Sequence, residues 1–207
     1  MPKGSVELTN ARENEIIDAC AKLYGTMGFK EITIKDIGNA TSFTRTSIYN
    51  YFQTKEEIFL ALLGREYEAW NRELLLSLEK KDTMTKEELA LLLADTLSKR
   101  ELMLKLLSMN MFEIEENSRV EKLVEFKKAF GEAMALVGRC LDRLEQKMTE
   151  EEKKKFRYSF FPFMQGIYPY ASPTKKQEHA MEQAGLEFGC FNIYEMVYMT
   201  AKRLLGA

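Results

Sequence analysis

The 207 residues are 45% apolar and 11% aromatic, enough for a real hydrophobic core in one domain or two. No uninterrupted apolar run approaches the roughly 18 residues a membrane span requires, and the opening MPKGSVELTNARENE carries no apolar leader, so a cytoplasmic location without a membrane partner is expected. The formal charge of −2 excludes bulk basicity as a source of nucleic-acid affinity; residues 1–55 hold seven Lys/Arg (3, 12, 22, 30, 35, 45, 55) against six Asp/Glu (7, 13, 15, 18, 31, 36), a net of +1.

Frequent Leu, Glu, Lys, Met and Ala at three-to-four spacing, with no strand-like alternation, predict an all-α fold of about nine helices. The first follows Asn10, with Ile16, Ile17, Cys20, Leu23, Tyr24 and Met27 on one stripe and Gly28 as its stop. Ser or Thr followed three residues later by an acid or Gln then marks further starts: Thr33/Asp36, Thr54/Glu57, Thr85/Glu88, Ser98/Glu101, Ser118/Glu121, Thr149/Glu152 and Thr174/Gln177. The helix from Thr54 is long and links an N-terminal module, residues 1–53, to a larger part, residues 54–207. Pro162 is expected to kink the penultimate helix, and Pro169 and Pro173 to end it.

Between Gly28 and Phe52 two short helices are predicted, TIKDIGNA capped by Thr33 and TRTSIYNYF capped by Thr44, joined by a link that fits only a tight turn. This is the helix-turn-helix layout, in which the second helix enters the major groove by its leading residues. Ile34, Ile37, Ile48 and Phe52 supply inward faces. A groove about 12 Å wide favours short side chains or a fixed donor fork at the leading turn. Thr44, Thr46 and Ser47 are short, and Arg45 can donate two parallel hydrogen bonds to a guanine edge. Tyr49 and Tyr51 can reach phosphate oxygens, and Lys55 adds a cation in the next helix. Cys20, Cys140 and Cys190 lack metal or redox spacing and read as buried free thiols, and the single His179 as part of a solvated face. Neither a metal site nor a catalytic residue is expected, and no cofactor.

TIKDIGNATSFTRTSIYNYFQTKEEIF resembles the DNA-binding signature of the TetR family of transcriptional regulators, over about Arg12 to Phe59. The resemblance implies helix caps near phosphates at Thr33 and Thr44, base readers at Arg45, Thr46 and Ser47, backbone or groove contacts from Tyr49 and Tyr51, and a phosphate contact from Lys55. Ser42 stands where family members usually carry a turn glycine, and Gly38 where they carry a small alanine. Ser42 therefore either takes φ > 0 at some cost or bends the turn differently.

The resemblance further implies a homodimeric repressor that binds a near-palindromic double-stranded operator and is released by a small-molecule effector. Trp70, Met103, Met109, Phe112, Phe160, Phe163, Met164 and Tyr168 could line an apolar effector cavity. Phe188, Phe191, Tyr194, Val197, Tyr198 and Ala201 place more apolar surface on the last helix than one core contact consumes, which fits a dimer interface. The competing reading is a helical small-molecule carrier or enzyme that keeps the helix-turn-helix only as scaffold.

Overall fold

The computed structural model describes residues 3–186, 189 and 191–206, with side chains at all of these except 3–6 and 45. Eleven helices stand among the described residues: α1 Lys3–Tyr24, α2 Ile34–Asn39, α3 Arg45–Ile48, α4 Lys55–Lys80, α5 Lys86–Ser98, α6 Glu101–Leu107, α7 Met111–Glu116, α8 Val120–Asp142, α9 Glu150–Ala171, α10 Lys175–Gln183 and α11 Ile193–Leu205. Extended pairing among them is limited to one isolated bridge between Met84 and Leu144, so the all-α expectation holds.

Capping explains most of the boundaries. Thr33, Thr85, Thr149 and Thr174 form the expected reciprocal capping boxes with Asp36, Glu88, Glu152 and Gln177. Asparagine also caps: Asn110 starts α7, a short helix that adds to the expected count, and Asn192 forms a box with Glu195 at α11. Two serine expectations fail. The hydroxyls of Ser98 and Ser118 bond back to the carbonyls of Asp95 and Ile114 at the ends of preceding helices, so neither starts a helix.

Three other boundaries differ. α1 runs back to Lys3, because nothing in VELTN breaks a helix, and it ends at Tyr24 before reaching Gly28. α9 continues through Pro162 and also through Pro169, which sits in its last turn. It stops at Ala171, since Ser172 precedes Pro173 and is held off the helical region at φ −138, ψ 62.

The chain divides into two compact units, residues 1–65 with 110–128, and residues 66–109 with 129–207. In the first, Ile16, Cys20 and Tyr24 of α1 bury with Ile32, Ile37, Ile48 and Phe52, while Ile34 is only half-buried. The ring of Phe59 stands edge to face with Tyr24 at 5.2 Å and with Phe29 at 4.8 Å. In the second, Tyr67, Trp70, Leu74 and Leu78 bury along one stripe of α4. Tyr67, Phe130, Phe161 and Trp70 follow one another edge to face at 5.6, 5.5 and 6.2 Å. α11 packs on α5 and α9 through Ile193, Val197, Ala201 and Leu205. Gly206 closes α11 with φ 67, a left-handed conformation that costs glycine least.

Among the described residues no helix is long and apolar enough to cross a membrane, and no cluster of three or more His, Cys, Asp or Glu could hold a metal ion. Cys20 and Cys140 are buried free thiols, one in each unit, and burial pushes their pKa values to about 12 and about 11. Cys190 lies outside the described residues. His179 is exposed on α10, 3.9 Å from Glu182.

Candidate nucleic-acid interface

α2 is fixed before α3 begins. The Thr33 N–H and hydroxyl both donate to Asp36 Oδ2, at 2.9 and 2.6 Å, and the Asp36 N–H donates to the Thr33 hydroxyl at 3.3 Å. The Thr33 hydroxyl holds the Asp36 carboxyl below its ordinary range, helped by the Thr33 N–H. At the turn, the Thr41 hydroxyl donates to the Gly38 carbonyl at 2.9 Å, and the Ser42 N–H donates to Glu15 Oε1 of α1. Non-glycine residues with positive φ are absent among the described residues. Ser42 thus bends the turn differently, with a carboxylate from α1 holding its N–H.

α3 is four residues long, continued by tight turns through Phe52: Tyr51 N–H to Ile48 O at 2.8 Å and Phe52 N–H to Ile48 O at 3.0 Å. Ile48 and Phe52 are buried, whereas Thr44, Thr46 and Tyr49 are exposed and Ser47 is half-buried. Thr44 occupies the N-cap position but makes no side-chain cap, which corrects the expectation. Its hydroxyl lies 3.2 Å from the Ser47 hydroxyl instead, leaving the first turn of α3 without a side-chain acceptor. Arg45 opens α3; its side chain lies outside the described residues.

Behind this face, Tyr51 is half-buried and its hydroxyl accepts from Arg12 Nη1 at 3.3 Å. Lys55 is turned inward. Its ammonium donates to the carbonyls of Phe29 at 2.8 Å and Ile32 at 3.1 Å and stands 4.3 Å from the Phe29 ring centre, which leaves at most one donor for a phosphate.

Sequence reasoning missed the group that ties this corner together. Glu57, read as a capping partner of Thr54, is fully buried. The Glu57 N–H does donate to the Thr54 hydroxyl at 3.2 Å, but the carboxylate accepts from the Gln53 N–H at 2.7 Å, Arg119 Nε at 2.7 Å, Arg119 Nη2 at 2.9 Å and the Arg119 N–H at 3.0 Å. Burial alone would raise its pKa; the Arg119 guanidinium and the two backbone N–H groups outweigh that and hold the carboxyl below the usual glutamate range. The partner stands 62 residues along the chain, a distance no local pattern spans.

The residues expected around an effector separate. Trp70, Met103, Phe160 and Met164 are fully buried in the second unit, with Trp70 Nε1 donating to the Thr96 hydroxyl at 3.0 Å. Met109, Phe163 and Tyr168 are half-buried there. Phe112 belongs to the first unit and is 80% exposed, because α7 turns its single buried residue, Ile114, inward instead. Two surface grooves of about 490 and 500 Å³ are lined by other residues, one by Tyr170, Met181 and Phe191, the other by Met84, Leu91 and Tyr194.

On α11 the expected interface splits by face. Val197 and Ala201 are buried in the unit's own core, whereas Phe191 is 51% exposed just before the helix. Tyr194 and Tyr198 are half-buried with rings stacked at 6.4 Å, and the Tyr198 hydroxyl donates to Glu87. Phe188 lies outside the described residues.

Comparison with known proteins agrees with this geometry. Residues 16–62 match the family described as bacterial regulatory proteins of the tetR family, and residues 64–197 match the tetracyclin repressor-like C-terminal domain. The uncharacterized HTH-type transcriptional regulator YfiR of Bacillus subtilis (strain 168) is 32% identical over 62 residues; the match spans 30% of this chain and only 30% of that relative. Among solved structures, the fatty acid degradation regulator FadR of Bacillus halodurans shares the fold at TM-score 0.60 and 15% identity, covering 94% of this chain and 95% of that one. FadR of Bacillus subtilis, solved in complex with stearoyl-CoA, follows at TM-score 0.57 and 15% identity, covering 92% and 96%. The chain belongs to the TetR family of transcriptional regulators.

Proposed function

We propose that this protein is a cytoplasmic, non-enzymatic repressor whose homodimer grips a near-palindromic operator with α3 and lets go when a small hydrophobic effector binds. The observation that carries the reading is the division of α3, with Ile48 and Phe52 buried while Thr44, Thr46 and Tyr49 are exposed. A helix anchored by one face and polar on the other is what a major groove admits. Arg45, Thr46 and Ser47 read base edges, and Thr44, Tyr49 and Tyr51 hold phosphates that complete the uncapped first turn. Thr33 and Lys55, both engaged internally, contribute by fixing the frame more than by touching DNA.

Residues 1–53 serve reading and residues 54–207 effector binding and dimerisation, with 54–65 and 110–128 packed in the same unit as the reading helix. Phe191, Tyr194 and Tyr198 are the described interface residues with surface to offer a second copy. The effector reading is supported by Asn71. It is buried on α4 one residue after Trp70, its amide N–H donates to the Ala129 carbonyl at 2.9 Å, and its Oδ1 has no protein partner, a polar handle in a largely apolar unit. The solved neighbour that holds stearoyl-CoA names a first compound to try. An effector that prefers the non-reading conformer by about 1–3 kcal/mol lowers operator affinity by the same amount.

The test is footprinting of the purified protein on its own upstream DNA across a salt titration. A protected near-palindrome that weakens steeply with salt is expected; uniform retention of unrelated fragments contradicts the reading.

A further inference from the structure

The corner that joins α3 to α4 is held by residues that arrive much later in the chain. Arg119 Nη2, besides donating to Glu57 Oε2, donates to the Tyr51 carbonyl at 3.1 Å. Glu57 Oε2 accepts from Gln53, and the Thr54 hydroxyl donates to the Asn117 carbonyl at 3.0 Å. Lys122 of α8 adds an ion pair to Glu13 of α1 at 3.3 Å and sits 5.2 Å from the Phe52 ring centre. The segment that leaves α3 is thus tied to the Asn117–Arg119 corner at three points: directly at the Tyr51 carbonyl, through Glu57 at the Gln53 N–H, and through the Thr54 hydroxyl. All of these residues fall inside one unit.

We propose that Arg119 is a positioning residue for operator reading: its guanidinium, clamped on buried Glu57, holds the Tyr51 carbonyl and so sets the angle at which α3 meets DNA. The inference rests on the reading of α3 as the groove-entering helix. A planar fork is required, because one group must satisfy both carboxylate oxygens and the carbonyl together, which a lysine ammonium on a flexible stem cannot reproduce. Base reading depends on sub-ångström placement, whereas attraction to phosphates depends mainly on charge. Arg119 therefore acts on discrimination between sequences and not on general affinity for DNA.

The experiment uses the full chain and compares the operator fragment with a scrambled fragment of equal length at one salt concentration, for wild type, Arg119→Lys, Glu57→Gln and Leu97→Ala. Leu97 is buried in α5 and serves as a control that lowers stability without touching the corner. Arg119→Lys and Glu57→Gln are expected to weaken operator binding by about tenfold or more while scrambled binding stays within about twofold, and Leu97→Ala to leave their ratio unchanged. Should neither corner variant fold, Thr54→Val, which deletes the hydroxyl link to Asn117 and the acceptor for the Glu57 N–H but leaves the Arg119–Glu57 pair in place, is read the same way with about a threefold loss of the ratio. Operator and scrambled affinity falling in parallel, or an unchanged ratio in a folded corner variant, overturns the positioning role. A wild type that cannot tell the two fragments apart overturns the α3 reading, and the positioning role with it.

Discussion

Around α3 the chain is held by charged hydrogen bonds: Glu57 with Arg119, Glu15 with the Ser42 N–H, Lys55 with two carbonyls. Around Trp70 it is held chiefly by edge-to-face rings and aliphatic side chains, with Trp70 Nε1 and the Asn71 amide bonded inside and Arg100 paired with Glu66 and Glu73 of α4 at the edge. The contrast fits the roles proposed for the two regions. Directional bonds fix angles, which a reading helix needs; dispersion and burial fill volume and tolerate rearrangement, which suits a core that admits a ligand.

The contrast can be attacked first where the core is densest. Trp70→Ala removes a fully buried ring and is expected to cost about 3–5 kcal/mol in urea unfolding. Arg119→Ala leaves the Glu57 carboxylate without its countercharge; because Arg119 itself is 37% exposed and water can enter, the loss should sit near the lower end of the range for broken buried pairs, about 3 kcal/mol. A pH series sharpens the assignment. Since the folded state depresses the Glu57 pKa, its contribution is complete above the ordinary glutamate value of about 4.3 and disappears as pH falls through the lower folded value. The stability gap between wild type and Glu57→Gln should therefore narrow below about pH 4 and stay constant above about pH 5. The smallest effect is at a surface cap: Thr33→Ala should cost about 1 kcal/mol, read as a shifted thermal midpoint.

Local patterns carried the helical class, four of the capping boxes, the buried faces at Ile37, Ile48 and Phe52 and the outward Thr44 and Thr46, because each is encoded within a few residues. What escaped was non-local or ambiguous in type. Thr54 and Glu57 fit a capping box as well as any other pair, and only the approach of Arg119 turns the carboxylate elsewhere. Arg119 follows the acidic stretch EIEENS, where nothing local marks a partner 62 residues earlier. Phe112 looked like cavity lining because helical spacing alone does not tell which side of a short helix meets the core. On α11 the excess of apolar residues was real, but Val197 and Ala201 are consumed by α5 and α9.

The two buried thiols turn this contrast into something measurable without new chemistry. Cys20 and Cys140, at about 12 and about 11, hold almost no thiolate near neutral pH while their surroundings stay closed, and each reverts toward an ordinary thiol once exposed. Alkylation rates resolved by peptide mass would then clock breathing of each unit separately, and an added effector should change the Cys140 rate before it changes that of Cys20.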